Sequence, residues 1–133
     1  MARRKDHSRE ELENLILDAA WTIIGQEGVI GLTARRIATD IGYTPGTIYN
    51  VFRAMDDVVM GVNGRTLDKL YTILNDLSCE NPPKDTTEQA VMCMKTMARR
   101  YVAFAQEYRP YWLLLFYQGE NETVSVPETY TEK

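Results

Sequence analysis

The stretch LTARRIATDIGYTPGTIYNVF, residues 32–52, decides the reading of this chain. It reads as two short helices joined by a turn. Thr33 is a natural N-cap for a helix through about Ile41, with Ile37, Ala38 and Ile41 inward. Gly42 suits the left-handed residue just past its end. Thr44 caps the next helix, which runs over 44–52, and Pro45 fits its first position. Ile48 and Phe52, four apart, anchor that helix to a core, so Phe52→Ala is expected to cost about 3–5 kcal/mol.

Both helix starts are unusual. Arg35 and Arg36 put cations in a first turn, where the helix dipole favours anions, at a cost of a few tenths to about 1 kcal/mol each. A phosphate would remove the conflict, and so would pairing with Asp40 or another nearby acid. The second start, Thr44-Pro45-Gly46-Thr47, has almost no side-chain bulk. Gly46 inside a short helix costs roughly 1 kcal/mol against Ala, and Thr47 through Val51 are mediocre helix formers. Small residues there let backbone come close to something large. Thr44, Thr47, Tyr49 and Asn50 offer short hydrogen-bonding groups on the outward side, the chemistry of phosphate and base-edge contact. Two helices with this turn form a helix-turn-helix, whose second helix enters the major groove with its N-terminal residues leading.

Working outward, SREELENLILDAAWTIIGQEG (8–28) reads as a helix opened by a capping box, Ser8 with Glu11. Leu12, Leu15, Ile16, Ala19, Ile23 and Ile24 give it one apolar face, and Gly25 and Gly28 end it. MDDVV opens a longer helix with Asp56 and Asp57 at its start; Val59, Val62, Leu67, Leu70, Ile73, Leu74 and Leu77 are its apolar positions. Pro82-Pro83 marks a break. A further helix is expected from about Thr87 to Tyr108, with Met94, Met97, Ala98, Tyr101, Val102, Ala105 and Tyr108 along one side. YWLLLFYQG is apolar nearly all round, so it reads as a buried or partner-facing helix. The tail ENETVSVPETYTEK is polar. No strand alternation and no hairpin turn is legible, and the expected fold is all-α.

The bulk properties narrow the function classes. The net charge is −4, but residues 1–55 are balanced, with seven Lys/Arg and seven Asp/Glu, and the deficit lies in 56–133. Arg3, Arg4, Lys5 and Arg9 face only Asp6 among the first nine residues. One His and two cysteines, Cys79 and Cys93, leave no metal cluster, no nucleophile–base pair around a histidine and no disulfide scaffold; the cysteines read as ordinary thiols. There is no Gly-rich phosphate loop, so an enzyme is not expected. No apolar run approaches a membrane span and no secretory leader is legible, so the expected setting is the cytoplasm.

Residues 9–60 resemble the DNA-binding domain of the TetR family of bacterial transcriptional regulators. The matching segments are ILDAAWTIIGQEG, GLTARRIATDIG and the run Gly46-Thr47-Ile48-Tyr49 through Phe52. More weakly, YVAFAQEYRPYWLLLF is similar to the start of the ligand-sensing domain in one branch of that family. The resemblance implies a three-helix helix-turn-helix domain joined by a long helix to an incomplete α-helical ligand-binding and dimerisation domain. The division would be a basic arm at 1–8, the DNA-binding domain at 9–55, and the connecting helix with a partial regulatory domain at 56–133.

The implied function is a ligand-responsive repressor that binds a pseudo-palindromic operator on double-stranded DNA. The resemblance implies contacts from Thr33, Arg35, Arg36, Thr44, Pro45, Gly46, Thr47, Tyr49, Asn50 and Arg53. Met55 stands where the family usually has a phosphate-contacting Lys, and Arg53 would compensate; Val51 stands where a His or aromatic is frequent. It also implies an unknown small-molecule effector, largely apolar, near Met94, Met97, Tyr101, Phe104, Tyr108 and Trp112; core packing is the competing reading for each of these six. A homodimer is implied as well, although the family's usual dimerisation helices are absent from this chain. The alternative is a helical protein-interaction module that keeps the fold without specific DNA binding.

Overall fold

The computed structural model describes residues 7–75 and 87–117. Among them are six α-helices, one short 3-10 turn and no strand, which bears out the all-α fold. The helices are α1 (Arg9–Glu27), α2 (Ala34–Ile41), α3 (Pro45–Val51), α4 (Met55–Asn75), α5 (Thr87–Glu107) and α6 (Arg109–Leu114), with the 3-10 turn at Val29–Gly31. The basic run Arg3-Arg4-Lys5, Leu77, Cys79, Pro82-Pro83 and the polar tail lie outside the described residues.

Local signals set the first three helices. Ser8 accepts from the Glu11 amide while Glu11 accepts from the Ser8 amide at 2.8 Å, so the capping box is present. Gly28, with φ 73°, ends α1. Gly25 is not part of the stop: it lies within α1, and a Cβ there would collide with the Tyr111 hydroxyl. Thr33 caps α2 by accepting from the Arg36 amide at 3.1 Å. Gly42 ends α2 in the left-handed region, φ 74° and ψ 34°, which favours glycine because no Cβ meets the backbone.

One core joins these elements. Ile16, Ala20, Ile23 and Ile24 of α1 meet Ala34, Ile37 and Ala38 of α2, Ile48 of α3, Val58 and Val62 of α4, and Leu114 of α6. The apolar face of α1 is thus narrower than its sequence reading, with Leu12, Leu15 and Ala19 only partly covered. Phe52 is partly buried at the rim of this core, and Ile48 is the fully buried anchor of α3.

The longer helices depart further from the expected faces. The stripe of α4 that faces inward is Val58, Val62 and Thr66, four apart, and Leu67 is 52% exposed. Thr66 is accommodated by donating its hydroxyl to the Val62 carbonyl at 3.1 Å. Arg65 fixes the register of α4 on α1 by pairing with the Asp18 carboxylate and donating to the Asn14 side chain at 3.4 Å. On α5, Phe104 alone is fully buried, while Met94, Met97, Ala98, Tyr101 and Val102 are exposed. Of the side grouped by its spacing, only Ala105 and Tyr108 are partly covered, and Tyr108 stacks on Phe104. Cys93 is not a free thiol, against the expectation of two ordinary ones.

Tyr111 ties α6 to α1. Its ring stacks on Trp21 at 3.8 Å and 13°, and its hydroxyl donates to the Trp21 carbonyl at 2.9 Å. Burial first, and the neighbouring Tyr108 second, raise the Tyr111 pKa above the ordinary 10.0. A phenol that holds its proton more tightly when folded stabilises the fold fully below the unfolded pKa, and that contribution is lost as pH rises through the folded one. Melting temperatures measured from about pH 9 upward should fall. Tyr111→Phe should flatten that fall, and a fall of equal steepness in the variant would show that other groups cause it.

Candidate nucleic-acid interface

Helix α3 is short, and Ile48 is its one fully buried side chain. Around it, Thr44, Pro45, Gly46, Tyr49, Asn50 and Arg53 are exposed and Thr47 is partly so. Tyr49 is 52% exposed despite its apolar ring. Thr44 occupies the N-cap position, but its hydroxyl accepts no backbone amide of α3. It lies 3.3 Å from the Thr47 hydroxyl, so the pair forms a small polar edge at the start of the helix. A Cβ on Gly46 would meet only the Thr44 hydroxyl, at 3.8 Å, so nothing among the described residues requires glycine there.

Helix α2 resolves the question of its two arginines by separating them. Arg36 is already paired within the protein, donating to Glu27 at 2.9 Å and to both Asp40 carboxylate oxygens at 3.3 Å. Glu27 first, and Asp40 second, hold its guanidinium still more firmly protonated than usual. Its placement in the first turn is compensated by these acids, so it is not an open phosphate contact. Arg35 is exposed, and no ion pair reaches it among the described residues. The same holds for Arg53. Free cations thus stand at the start of α2 and just beyond the end of α3.

The six residues expected at an effector site do not converge. Phe104 is 2% exposed and stacks on Tyr108 at 5.0 Å, as core. Met94 is 69% exposed, and Met97 is also on the outside. Tyr101 and Trp112 share a groove of about 430 Å³ between α5 and α6, where the Trp112 indole donates to the Tyr101 hydroxyl at 2.9 Å. A second groove of about 450 Å³ lies between the end of α1 and α6, lined by Ile24, Val29, Pro110 and Leu113. It contains none of the six, and periodicity within single helices could not reveal it because its walls lie some eighty residues apart. Among the described residues no group of acidic, His or Cys side chains could hold a metal ion, and no helix is long and apolar enough to cross a membrane.

Three helices, two of them joined by a glycine turn with the second largely bare, define a helix-turn-helix domain. Residues 16–60 match the family of bacterial regulatory proteins, tetR family. A 101-residue segment is 30% identical to an uncharacterized HTH-type transcriptional regulator of Mycobacterium tuberculosis, covering 76% of this chain and 43% of that protein. Residues 16–60 are thus similar to the helix-turn-helix part of the bacterial regulatory proteins of the tetR family. It spans less than half the length of that relative.

Proposed function

We propose that this chain is a DNA-binding transcriptional regulator that places α3 in the major groove of double-stranded DNA. The observation that carries the reading is Gly46: the fold leaves open space where its side chain would be, on a face otherwise made of short polar groups. A helix that is bare without internal need is suited to close approach by another molecule. The base-facing set is Thr44, Pro45, Gly46, Thr47, Tyr49 and Asn50. Thr33, Arg35 and Arg53 serve the phosphates, and Arg36 serves the fold.

The finer reading is a cytoplasmic, homodimeric, ligand-responsive repressor on a pseudo-palindromic operator. Residues 1–8 would be its arm, 9–55 its reading head and 56–133 the connecting helix and partial regulatory part. Two heads spanning successive major grooves would be moved apart or together by an effector, which must bind the non-DNA-binding arrangement better to shift anything. The groove shared by Tyr101 and Trp112, apolar apart from Gln106 and Arg109 in its lining, supports a largely apolar effector.

Fluorescence anisotropy on the DNA flanking the protein's own gene, at two salt concentrations, tests the reading. Sequence-selective binding that falls steeply with salt is the expected result. Arg35→Ala should reduce the slope of log affinity against log salt by about 0.9, as one lost phosphate contact. Arg36→Ala should leave it near the wild-type value, and a loss equal to that of Arg35→Ala would show that the Glu27 and Asp40 pairs open on DNA. The outward apolar side of α5 favours the second reading, a protein-interaction module. Its binding would be nearly indifferent to salt, because apolar contacts release few counterions.

A further inference from the structure

We propose that the groove between the end of α1 and α6 binds a small apolar acid, whose carboxylate is held by Arg109. This site is separate from the groove of Tyr101 and Trp112, and it does not depend on DNA binding. Two contacts fix α6 on α1 beside it. Tyr111 stacks on Trp21 and donates to the Trp21 carbonyl at 2.9 Å, and Gly25 admits the Tyr111 hydroxyl where a Cβ would collide. The buried Ile24 and Leu114 line the depth of the groove, and Val29, Pro110, Leu113 and Tyr117 line its walls. Its volume of about 450 Å³ falls in the range typical of small-molecule sites, about 300–1,000 Å³.

Arg109 is the one ionised side chain in this lining. It is exposed, and no ion pair reaches it among the described residues. Glu27, at the end of α1, is taken up by Arg36 at 2.9 Å. Apolar walls beside an unpaired guanidinium fit a molecule with an apolar body and one anionic end. A carboxylate matches the guanidinium fork with two parallel hydrogen bonds. The dipole of α1 sets the orientation, because its last turn carries partial negative charge and no basic side chain, and so repels the acid end. The carboxylate therefore goes to Arg109 on α6, and the apolar end lies against Ile24 and Val29. Arg109 and Leu113 also line the groove of Tyr101 and Trp112. Two exposed glutamines tell the grooves apart: Gln26 lines the α1–α6 groove and Gln106 the other.

The test is calorimetric titration of the full chain with decanoate and with decylammonium, both below micelle formation. It compares wild type with Arg109→Gln, Gln26→Trp and Gln106→Trp, with circular dichroism on each. Decanoate should bind wild type saturably at one site, and at least tenfold more tightly than decylammonium. Arg109→Gln should remove that preference. Gln26→Trp, which crowds the α1–α6 groove, should weaken decanoate at least tenfold, and Gln106→Trp should leave it near wild type. If Gln26→Trp loses helix content, Val29→Phe narrows the same groove in its place. Weakening by Gln106→Trp alone places the acid in the groove of Tyr101 and Trp112 and overturns the proposal. Equal binding of the two amphiphiles, or an unchanged preference in Arg109→Gln, overturns the role of Arg109. Uptake that never saturates shows adhesion to the exposed apolar side of α5 and overturns the site altogether.

Discussion

Ile48→Ala is expected to lower the stability of the chain by about 2–5 kcal/mol, the range for truncating a large aliphatic side chain in a core. Ile48 is fully buried and is the one residue through which α3 joins Ile16, Ile37 and Val58 as core. Helix α3 cannot compensate by propensity, since Gly46, Thr47, Tyr49, Asn50 and Val51 are weak helix formers. Its remaining apolar contacts, Val51 and Phe52, are only partly covered. Phe52→Ala should therefore cost less than its sequence reading predicts, and less than Ile48→Ala. Chemical denaturation of the two variants decides the order. Phe52→Ala as the more damaging would mean that the rim of the core, not its centre, holds the recognition helix.

Gly46→Ala is expected to move stability and DNA affinity in opposite directions. The added methyl meets nothing nearer than the Thr44 hydroxyl at 3.8 Å, and alanine is the better helix former by up to about 1 kcal/mol. The melting temperature should hold or rise. On DNA the same methyl occupies the space through which the backbone approaches, so affinity should fall at least tenfold, about 1.4 kcal/mol. Paired melting and anisotropy measurements read both quantities. Affinity equal to wild type would show that α3 does not approach a surface at Gly46, and the central support for the proposed function would be gone.

The sequence made the helix-turn-helix legible because its signals are local. Ser8 and Glu11, Thr33, Gly42 and Pro45 each act within one turn of the chain, and each stands where its spacing places it. The faces of α4 and α5 were not legible in the same way. Both helices carry apolar residues on more than one side, so Val58 or Val59, and Phe104 or Tyr101, fit a helical period about equally. Packing against α1 and α6 chooses between them, and that information lies far away in the chain. Two features of the candidate interface also depend on distant partners. Arg36 is taken up by Glu27 across nine residues, and Tyr43 by His7 across thirty-six. Neither pair has a spacing that any periodic rule detects.

The thin attachment of α3 has a consequence for how the chain behaves in time. Only Ile48 is fully buried within α3, and no side chain caps its start, so opening it locally takes far less free energy than unfolding the core around Ile16, Ile23 and Ile24. Its amide protons exchange with solvent through such brief openings, whereas those of central α1 wait for the whole domain to unfold. A surface that holds α3 closed quiets this motion and loses conformational entropy in doing so. On the proposed function, recognition by this helix would then be partly a folding reaction, with an affinity sensitive to temperature as well as to salt.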